Sequence, residues 1–300
     1  MIGELAALGA ALTWAVAGLL LKPLSIRFHP LFLNNIRCVV VALLFAAFLL
    51  ATGGFASLFQ VPLMSTIIVV AGTFIGIGIG ESLFVLSLRY VALSRAYPIS
   101  LCGYPIVTLA IAFLFLHEEV SGLTLLGLIV IIAGLYLVAF PGGPILVRFS
   151  FASSRERKGL LLVLLAVLAY GVSTVAIKRG IEGLDLPLAN FLRFSGTAIL
   201  LIPFTFSHWA SLKTKKSDWR NLGLAALSGV LSFGLGGILF LLALEKSGAA
   251  MTSVLSSTSP LFLLPMSVFF LRERVTPKLV AGVVLSVLGI CLVFLPKLLS

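Results

Sequence analysis

Charged side chains inside long apolar stretches are the first candidates for chemistry in this sequence. Glu81 follows Gly-Ile-Gly-Ile-Gly in the apolar segment 64–88. A charged side chain at the centre of a membrane helix costs roughly 3 kcal/mol unless it meets water or a partner. Glu81 could therefore bind a proton or a cationic substrate group. The alternative is a carboxylate that bonds to a neighbouring helix or is hydrated near the end of its span.

A second group of charged side chains recurs near the ends of apolar segments. The candidate gate or mouth residues are Lys22, Arg37 and Glu273 on one face, and Lys178, Arg193 and Glu118 on the face of the N-terminus. A charge pair at each mouth could open and close with alternating access. The competing interpretation is that the basic side chains reach the membrane interface while the Glu residues cap short loops.

Uncharged polar side chains concentrate in segments 92–115 and 248–271, where prolines also remove backbone donors and can leave a carbonyl free to face a ligand. These polar side chains belong to the candidate cavity and substrate-binding set, which also includes one acid, two amides and two aromatic residues from other segments. Its members are Trp14, Asn34, Glu81, Tyr97, Ser100, Tyr104, Tyr170, Asn190, Ser256, Ser257 and Ser259. For any single Ser, the alternative is a hydrogen bond between helices.

The composition identifies the solvent in which these side chains must be positioned. The chain has 300 residues, of which 60% are hydrophobic and 10% are charged, whereas about 25% of residues are charged in a soluble domain. Such a chain is a membrane protein, and no receptor or enzyme with a sizeable soluble domain fits. A net charge of +11 would suggest a nucleic-acid partner in a soluble protein. Here it more often sets orientation, and no nucleic-acid partner is expected.

The apolar sequence divides at charges, Pro and Gly into ten candidate membrane helices. Their ranges are 2–22, 31–52, 64–88, 92–115, 122–140, 158–178, 187–207, 219–244, 248–271 and 277–296. Helices are expected because unpaired strands cannot satisfy their backbone groups in lipid. The predicted fold class is an all-α integral membrane protein.

The two halves of the chain repeat each other. At an offset of 156 residues, Lys22 matches Lys178, Asn34 matches Asn190 and Arg37 matches Arg193. Further matches are Gly72, Gly76 and Gly80 with Ser228, Ser232 and Gly236, and, at an offset of 155, Glu118 with Glu273, Gly127 with Gly282 and Gly134 with Gly289. We therefore predict a first repeat at 1–143, a basic linker at 144–157 and a second repeat at 158–300.

Each repeat contains five spans, and this odd number places the second copy upside down relative to the first. Inverted repeats are typical of secondary transporters, in which the substrate site lies between the halves near the middle of the bilayer. The same self-comparison gives Glu81 the partner Gly237. Glu81 is therefore not part of the duplicated scaffold, which favours a specific role for it.

Four elements of the sequence resemble the drug/metabolite transporter superfamily, in particular its ten-helix members with two EamA-like repeats. They are the Trp14 region followed by Lys22, the stretch 34–37, Pro105 with Glu118, and Pro260 with Glu273. The first Pro-Glu copy departs from the pattern, since His117 stands where a Gly is common. The resemblance implies ten helices around a central cavity, and a transporter that exports small organic metabolites, with amino acids and their analogues as the best candidates.

Other functional classes find less support in the residues. The motif His117-Glu118-Glu119 lacks the second histidine of a zinc protease, and no nucleophile turn is visible. We expect no enzyme activity, cofactor or metal. The expected partners are a small-molecule metabolite, the lipid bilayer and protons as candidate coupling ions, with no obligatory protein partner. The alternative is a membrane-embedded receptor or scaffold, or an intramembrane enzyme. An ion channel would need a continuous polar lining or a filter loop, and the sequence shows neither.

The basic residues also predict an orientation in a cell membrane. Of the 21 Lys and Arg residues, the face of the N-terminus holds Lys178, Arg179, Arg193, Lys246 and Lys297, and the opposite face holds the rest. Because basic residues collect in cytoplasmic loops, both termini are expected outside and the loop between segments five and six inside. The usual orientation in the resembling family is the reverse.

Reporter fusions at the C-terminus test this orientation. With the termini outside, a phosphatase fusion should be active and a fluorescent-protein fusion should be dark, because each reporter matures on one side of the membrane only. A C-terminal reporter that works only in the cytoplasm would contradict the charge-based orientation.

Overall fold

Ten helices account for most of the chain in the computed structural model. It describes residues 1–87, 89–91, 93–116, 121–139, 154–210, 216–259, 261–262 and 277–299. The helices are α1 (Ile2–Arg27), α2 (Pro30–Thr52), α3 (Leu63–Ser87), α4 (Leu93–Leu116), α5 (Gly122–Ala139), α6 (Ser154–Gly180), α7 (Leu186–Ala210), α8 (216–247), α9 (249–256) and α10 (Pro277–Leu299). The described ranges contain no strand, and the predicted all-α fold is confirmed.

Most of these helices can cross a membrane by length and composition. Within the described ranges, six apolar stretches qualify: Ile2–Leu20, Pro30–Thr52, Leu63–Ser87, Ser154–Gly180, Leu186–Phe206 and Trp219–Ser256. Shorter apolar helices lie in α4, α5 and α10, at Cys102–Leu116, Leu125–Leu137 and Val280–Val293. The longest stretch spans α8 and α9 and is broken at Gly248, whose φ of 78° lies in the region that favours glycine. The expected division into separate spans follows from this break.

Both third helices of the repeats contain a π-helical segment. The segments are Phe74–Glu81 in α3 and Val230–Leu235 in α8, and they begin at positions equivalent in the repeat. A π segment displaces the i to i+4 bonding and frees backbone carbonyls, which is common at functional sites. Two such carbonyls accept side-chain hydrogen bonds, Ile77 O from Asn34 Nδ2 at 3.4 Å and Ser232 O from Trp14 Nε1 at 3.0 Å.

The two repeats interlock around a pseudo-two-fold axis. Helix α2 packs against its equivalent α7, and α5 packs against its equivalent α10. The first helix of each repeat leaves its own half, since α1 packs against α8 and α9, whereas α6 packs against α3 and α4. Any movement of one half relative to the other therefore displaces helices on both sides of the site between them.

Glycines bring α5 and α10 into backbone contact. A Cβ placed on Gly289 would lie 2.7 Å from Ile131 N and 2.8 Å from Gly127 O, and one on Gly127 would lie 2.9 Å from Gly289 O. In lipid, where the hydrophobic effect does not drive helices together, such close packing is a main source of association. The glycines that match between the repeats are thus the residues that join α5 and α10.

Substitution of Gly289 tests this interface. Gly289→Ala should lower the Tm of the protein in detergent, because the new methyl group meets backbone atoms and overpacking costs about 1–3 kcal/mol. The control is Gly18→Ala on α1, where a Cβ has no neighbour within 4 Å and where Ala should be neutral or stabilising. Equal Tm values for both variants would contradict this account of the interface.

Candidate functional site

Arg37 is the centre of a polar cluster inside the bundle. Its side chain is 2% exposed, and its Nη1 lies 2.9 Å from Glu81 Oε1. The same Nη1 donates to Asn34 Oδ1 at 3.0 Å, and Nη2 donates to Ser232 Oγ at 2.8 Å. The guanidinium also stacks over the Phe233 ring, 3.9 Å from its centroid. Three helices, from both repeats, thus supply partners for both terminal nitrogens of one buried cation, whereas its Nε has no hydrogen-bond partner among the described residues.

Local sequence explains how these side chains converge. Asn34 and Arg37 are three residues apart, which places them on one face of α2. Glu81 and Ser232 belong to the two π segments. A Cβ on Gly229 would lie 3.0 Å from Arg37 Cα, so that this glycine lets α8 approach α2 closely enough for Ser232 to reach the guanidinium. Arg37 lies seven residues into α2, a depth of about 10 Å at 1.5 Å per residue.

Glu81 combines a charged partner with partial exposure. Its side chain is 23% exposed, whereas that of Arg37 is almost fully buried. The ion pair with α2 matches the interpretation in which the carboxylate bonds to a neighbouring helix. Because part of the carboxylate is exposed, a proton or a cationic group could also reach it, and the role of Glu81 as a site for either stays a proposal. The sequence grouped Arg37 with the mouth residues, and the structure places it deeper, against this intramembrane acid.

Aromatic side chains lie beside the ion pair at equivalent positions of the two repeats. Trp14 contacts Gly236 of α8, where a Cβ would lie 2.8 Å from Trp14 Nε1. Tyr170 contacts Gly80 of α3 in the same way, at 3.1 Å from its ring. Each aromatic residue therefore packs on the repeat opposite to its own. Both are half-buried, as expected of side chains that present an aromatic surface with a polar edge.

Tyr104 connects α4 to this group. Its ring meets the Tyr170 ring edge to face, with centroids 6.3 Å apart. Its hydroxyl lies 3.1 Å from Thr174 Oγ1 and also interacts with Ser256 of α9. Tyr104, Tyr170 and Ser256 thus form a continuous polar and aromatic surface that joins α4, α6 and α9.

The remaining serines of the candidate cavity set are buried. Ser256 and Ser257 both donate to Ser253 O, at 3.3 and 2.8 Å, which is the carbonyl three and four residues earlier in the chain. Ser100 is 9% exposed and Ser259 is 4% exposed. The hydroxyl protons of Ser256 and Ser257 are thus used within their own segment and not in the bonds between helices that were the alternative, and their role in ligand binding stays a prediction.

Several candidate residues lie outside the described part of the chain. These are the gate residues Glu118 and Glu273, the side chain of the gate residue Lys22, and the side chain of the cavity residue Tyr97. Lys178 is half-buried near the end of α6.

The second repeat builds a related cluster that has a different partner set. Arg193 is 5% exposed, and its Nη1 donates to Asn190 Oδ1 at 2.9 Å, as Arg37 does to Asn34. Its Nε donates to Thr73 Oγ1 of α3 at 3.1 Å. Gly237 stands at the position equivalent to Glu81. The described residues include no carboxylate paired with Arg193.

Sequence reasoning missed the hydroxyl partners of both arginines, Ser232 and Thr73. Ser232 had been matched with Gly76 only as a small packing residue. A usable signal was present, because a Ser in one repeat that replaces a Gly in the other marks a place where the two halves differ. No sequence signal indicated that Thr73 would face α7.

Comparisons with known proteins agree with this architecture. The sequence model of the EamA-like transporter family matches residues 1–140 and 157–295. A protein of Archaeoglobus fulgidus named as an uncharacterized transporter is 25% identical over 99% of this chain and 100% of its own length. A protein of Enterococcus faecalis named as a candidate for sugar uptake is 25% identical over 76% of this chain and 79% of its own. A solved crystal structure superposes with a TM-score of 0.77 at 18% identity, covering 99% of both chains, and shows the same fold.

Removal of the Glu81 charge tests the energetic importance of the cluster. Glu81→Gln leaves Arg37 as a buried cation without an acid, which typically destabilises by about 3–5 kcal/mol. The Tm in detergent should therefore fall by several degrees. The control is Glu182→Gln, which breaks a pair with Arg179 of similar length, 2.8 Å against 2.9 Å, whose side chains are 49% and 66% exposed. That variant should change stability by less than about 1 kcal/mol. A Glu81→Gln protein as stable as the control would show that the pair contributes little.

Proposed function

Because the chain belongs to the EamA-like transporter family, we propose that this membrane transporter is an alternating-access exporter of small zwitterionic metabolites such as amino acids. The observation that carries the proposal is the partly exposed Arg37–Glu81 ion pair inside the membrane-spanning bundle. Inverted-repeat transporters bind their substrates between the repeats near mid-bilayer, and the cluster around Arg37 draws on both repeats.

The charges of the pair complement an amino acid. Arg37 and Glu81 present a cation and an anion 2.9 Å apart. The carboxylate of an amino acid would pair with the guanidinium and its ammonium group with Glu81, so that each charge exchanges one partner for another. Such an exchange brings no net charge into the bundle. An ion of single charge would leave one member of the pair without a partner, which is costly in the membrane interior.

The same contacts offer a link between binding and movement. Arg37 holds α3 through Glu81 and α8 of the other repeat through Ser232. A substrate that takes over one of these contacts would shift the balance between the two arrangements of the repeats, since a ligand favours the state that it binds better. Trp14, Tyr104 and Tyr170 would flank the substrate, while Lys22 with Glu273 and Lys178 with Glu118 would act as the two mouths.

Protons are the proposed coupling ions. Protonation of Glu81 would remove the charge that the substrate ammonium group needs, so that a proton and a substrate molecule would bind there alternately. Glu81 suits this role because its side chain is partly exposed, and intramembrane acids commonly serve as proton sites in transporters.

A sugar is the second candidate substrate. The relative from Enterococcus faecalis is named for sugar uptake, and the half-buried rings of Trp14, Tyr104 and Tyr170 could stack on the apolar face of a sugar. The ion pair distinguishes the two candidates, because an uncharged sugar needs neither Arg37 nor Glu81 as a charge.

Proteoliposomes that contain the purified transporter test the proposal. The assay measures uptake and efflux of labelled amino acids, nucleosides, sugar phosphates and neutral sugars, with and without a pH gradient. We expect movement of one or more amino acids, and a loss of at least about tenfold in Arg37→Gln, since a single lost charged contact costs more than 1.4 kcal/mol.

The control for this assay is Arg179→Gln, whose exposed pair with Glu182 lies at the end of α6 and whose loss should leave transport unchanged. Movement of neutral sugars alone, with full activity in Arg37→Gln, would contradict the proposed substrate class. A pH gradient that changes neither rate nor accumulation would contradict proton coupling.

A further inference from the structure

The second repeat contains a buried arginine that differs from its equivalent in one respect. Arg37 has the carboxylate of Glu81 at 2.9 Å, whereas Arg193 bonds to the neutral oxygens of Asn190 and Thr73. Among the described residues, no Asp or Glu forms an ion pair with Arg193. A cation that is 95% buried in a membrane bundle calls for a counter-charge.

Asn190 shows where that counter-charge would lie. Its Oδ1 accepts from Arg193 Nη1, which orients the amide and turns Nδ2 away from the guanidinium. Nδ2 is fully buried and has no hydrogen-bond partner. The equivalent Nδ2 of Asn34 donates to a carbonyl of the π segment in α3. A buried N–H donor without an acceptor is rare and costly, and here it lies beside an arginine that forms no ion pair with an acid of the described residues.

The unpartnered donor lies against the position that Glu81 occupies in the first repeat. A Cβ on Gly237 would lie 3.4 Å from Asn190 Nδ2, which is an ordinary van der Waals distance. A side chain is therefore absent at the place where the equivalent helix of the first repeat supplies a carboxylate. The other nearest atoms to that Cβ are Asn190 Oδ1 and Phe194 Cε2, both at 3.5 Å, and all three are side-chain atoms.

A third polar group lies on the same face of α7. Thr197 is four residues beyond Arg193 and seven beyond Asn190, so that the three share one stripe of the helix. Its hydroxyl is fully buried and lacks a partner, although a Thr in a helix commonly bonds to the carbonyl four residues earlier. The equivalent position of the first repeat is Val41. The second repeat therefore has a buried hydroxyl on this face of α7 that the first repeat lacks.

We infer that Arg193, Asn190 and the space beside Gly237 form an anion-binding subsite, which takes a small monovalent anion in place of the missing carboxylate. The ligand is either a carboxylate group or an inorganic anion such as chloride. Asn190 Nδ2 and the Arg193 guanidinium donate to it, and Thr197 lies one turn beyond Arg193 on the same face of α7. If the ligand is the carboxylate of a transported amino acid, the inference rests on the function proposed above. If the ligand is a free anion, the inference is independent of that function.

Thermal unfolding in detergent tests the subsite at constant ionic strength, with gluconate replaced stepwise by chloride, bromide or acetate at millimolar concentrations. The wild-type Tm should rise saturably with at least one of these ions, because a ligand that binds the folded state raises stability with concentration. A rise with alanine but with none of the simple anions assigns the site to a substrate carboxylate if the rise also disappears in Gly237→Glu, because alanine bound only at Arg37 and Glu81 would still stabilise that variant.

A glutamate at position 237 provides the decisive variant. Gly237→Glu restores the residue type of the first repeat, so its Tm in gluconate should exceed that of wild type and its response to anions should disappear. The control is Gly223→Glu on the same helix, where a Cβ has no neighbour within 4 Å and where the anion response should persist.

Two results would overturn the inference. One is a wild-type Tm that responds to none of the four probes, and the other is an anion response of equal size in wild type and Gly237→Glu. If Gly237→Glu does not fold, Asn190→Ala replaces it, and an unchanged midpoint of the anion response in that variant overturns the inference as well. An anion response in a protein that transports no amino acid would refute the proposed substrate and leave the subsite intact.

Discussion

Within the described part of the chain, the position of Arg37 constrains the structure more than any other single feature. A guanidinium that is 2% exposed in an apolar bundle must find acceptors for its protons inside the protein. It finds Asn34 on its own helix, Glu81 on α3 and Ser232 on α8. The π segments and the close approach at Gly229 can be understood as the backbone geometry that brings these acceptors within reach.

The comparison of the two repeats separates scaffold from site. The Asn and Arg residues three positions apart, the π segments and the aromatic residue packed on a glycine occur in both halves. The hydroxyl partners of the two arginines occur in one half only. Ser232 is equivalent to Gly76 of the first repeat, and Thr73 is equivalent to Gly229 of the second. Each arginine thus reaches a hydroxyl on the third helix of the other half. A duplicated fold acquired two chemically different clusters through a few substitutions on its inner surface.

Much of the fold could be predicted from the sequence because the membrane leaves few alternatives. Ten apolar segments must be helices in lipid, and an odd number of spans in each repeat requires inversion. The glycines of α5 and α10 were recognisable because they recur at equal offsets. The π segments and the contact of Thr73 with α7 were not predictable, because both depend on the distance between helices that are far apart in sequence.

The sequence by itself determined the solvent, the number of spans, the repeat and the identity of the intramembrane charges, since hydropathy and self-comparison are properties of the chain alone. Only the tertiary structure decided which charges meet. Arg37 and Glu81 are 44 residues apart, and no periodicity of the sequence relates them. Their contact follows from the packing of α2 against α3 and α8, which turns two separate candidates into one neutralised pair. In the second repeat, Asn190 of α7 faces Gly237 of α8, where the first repeat has Glu81, so that two equivalent arginines have different surroundings.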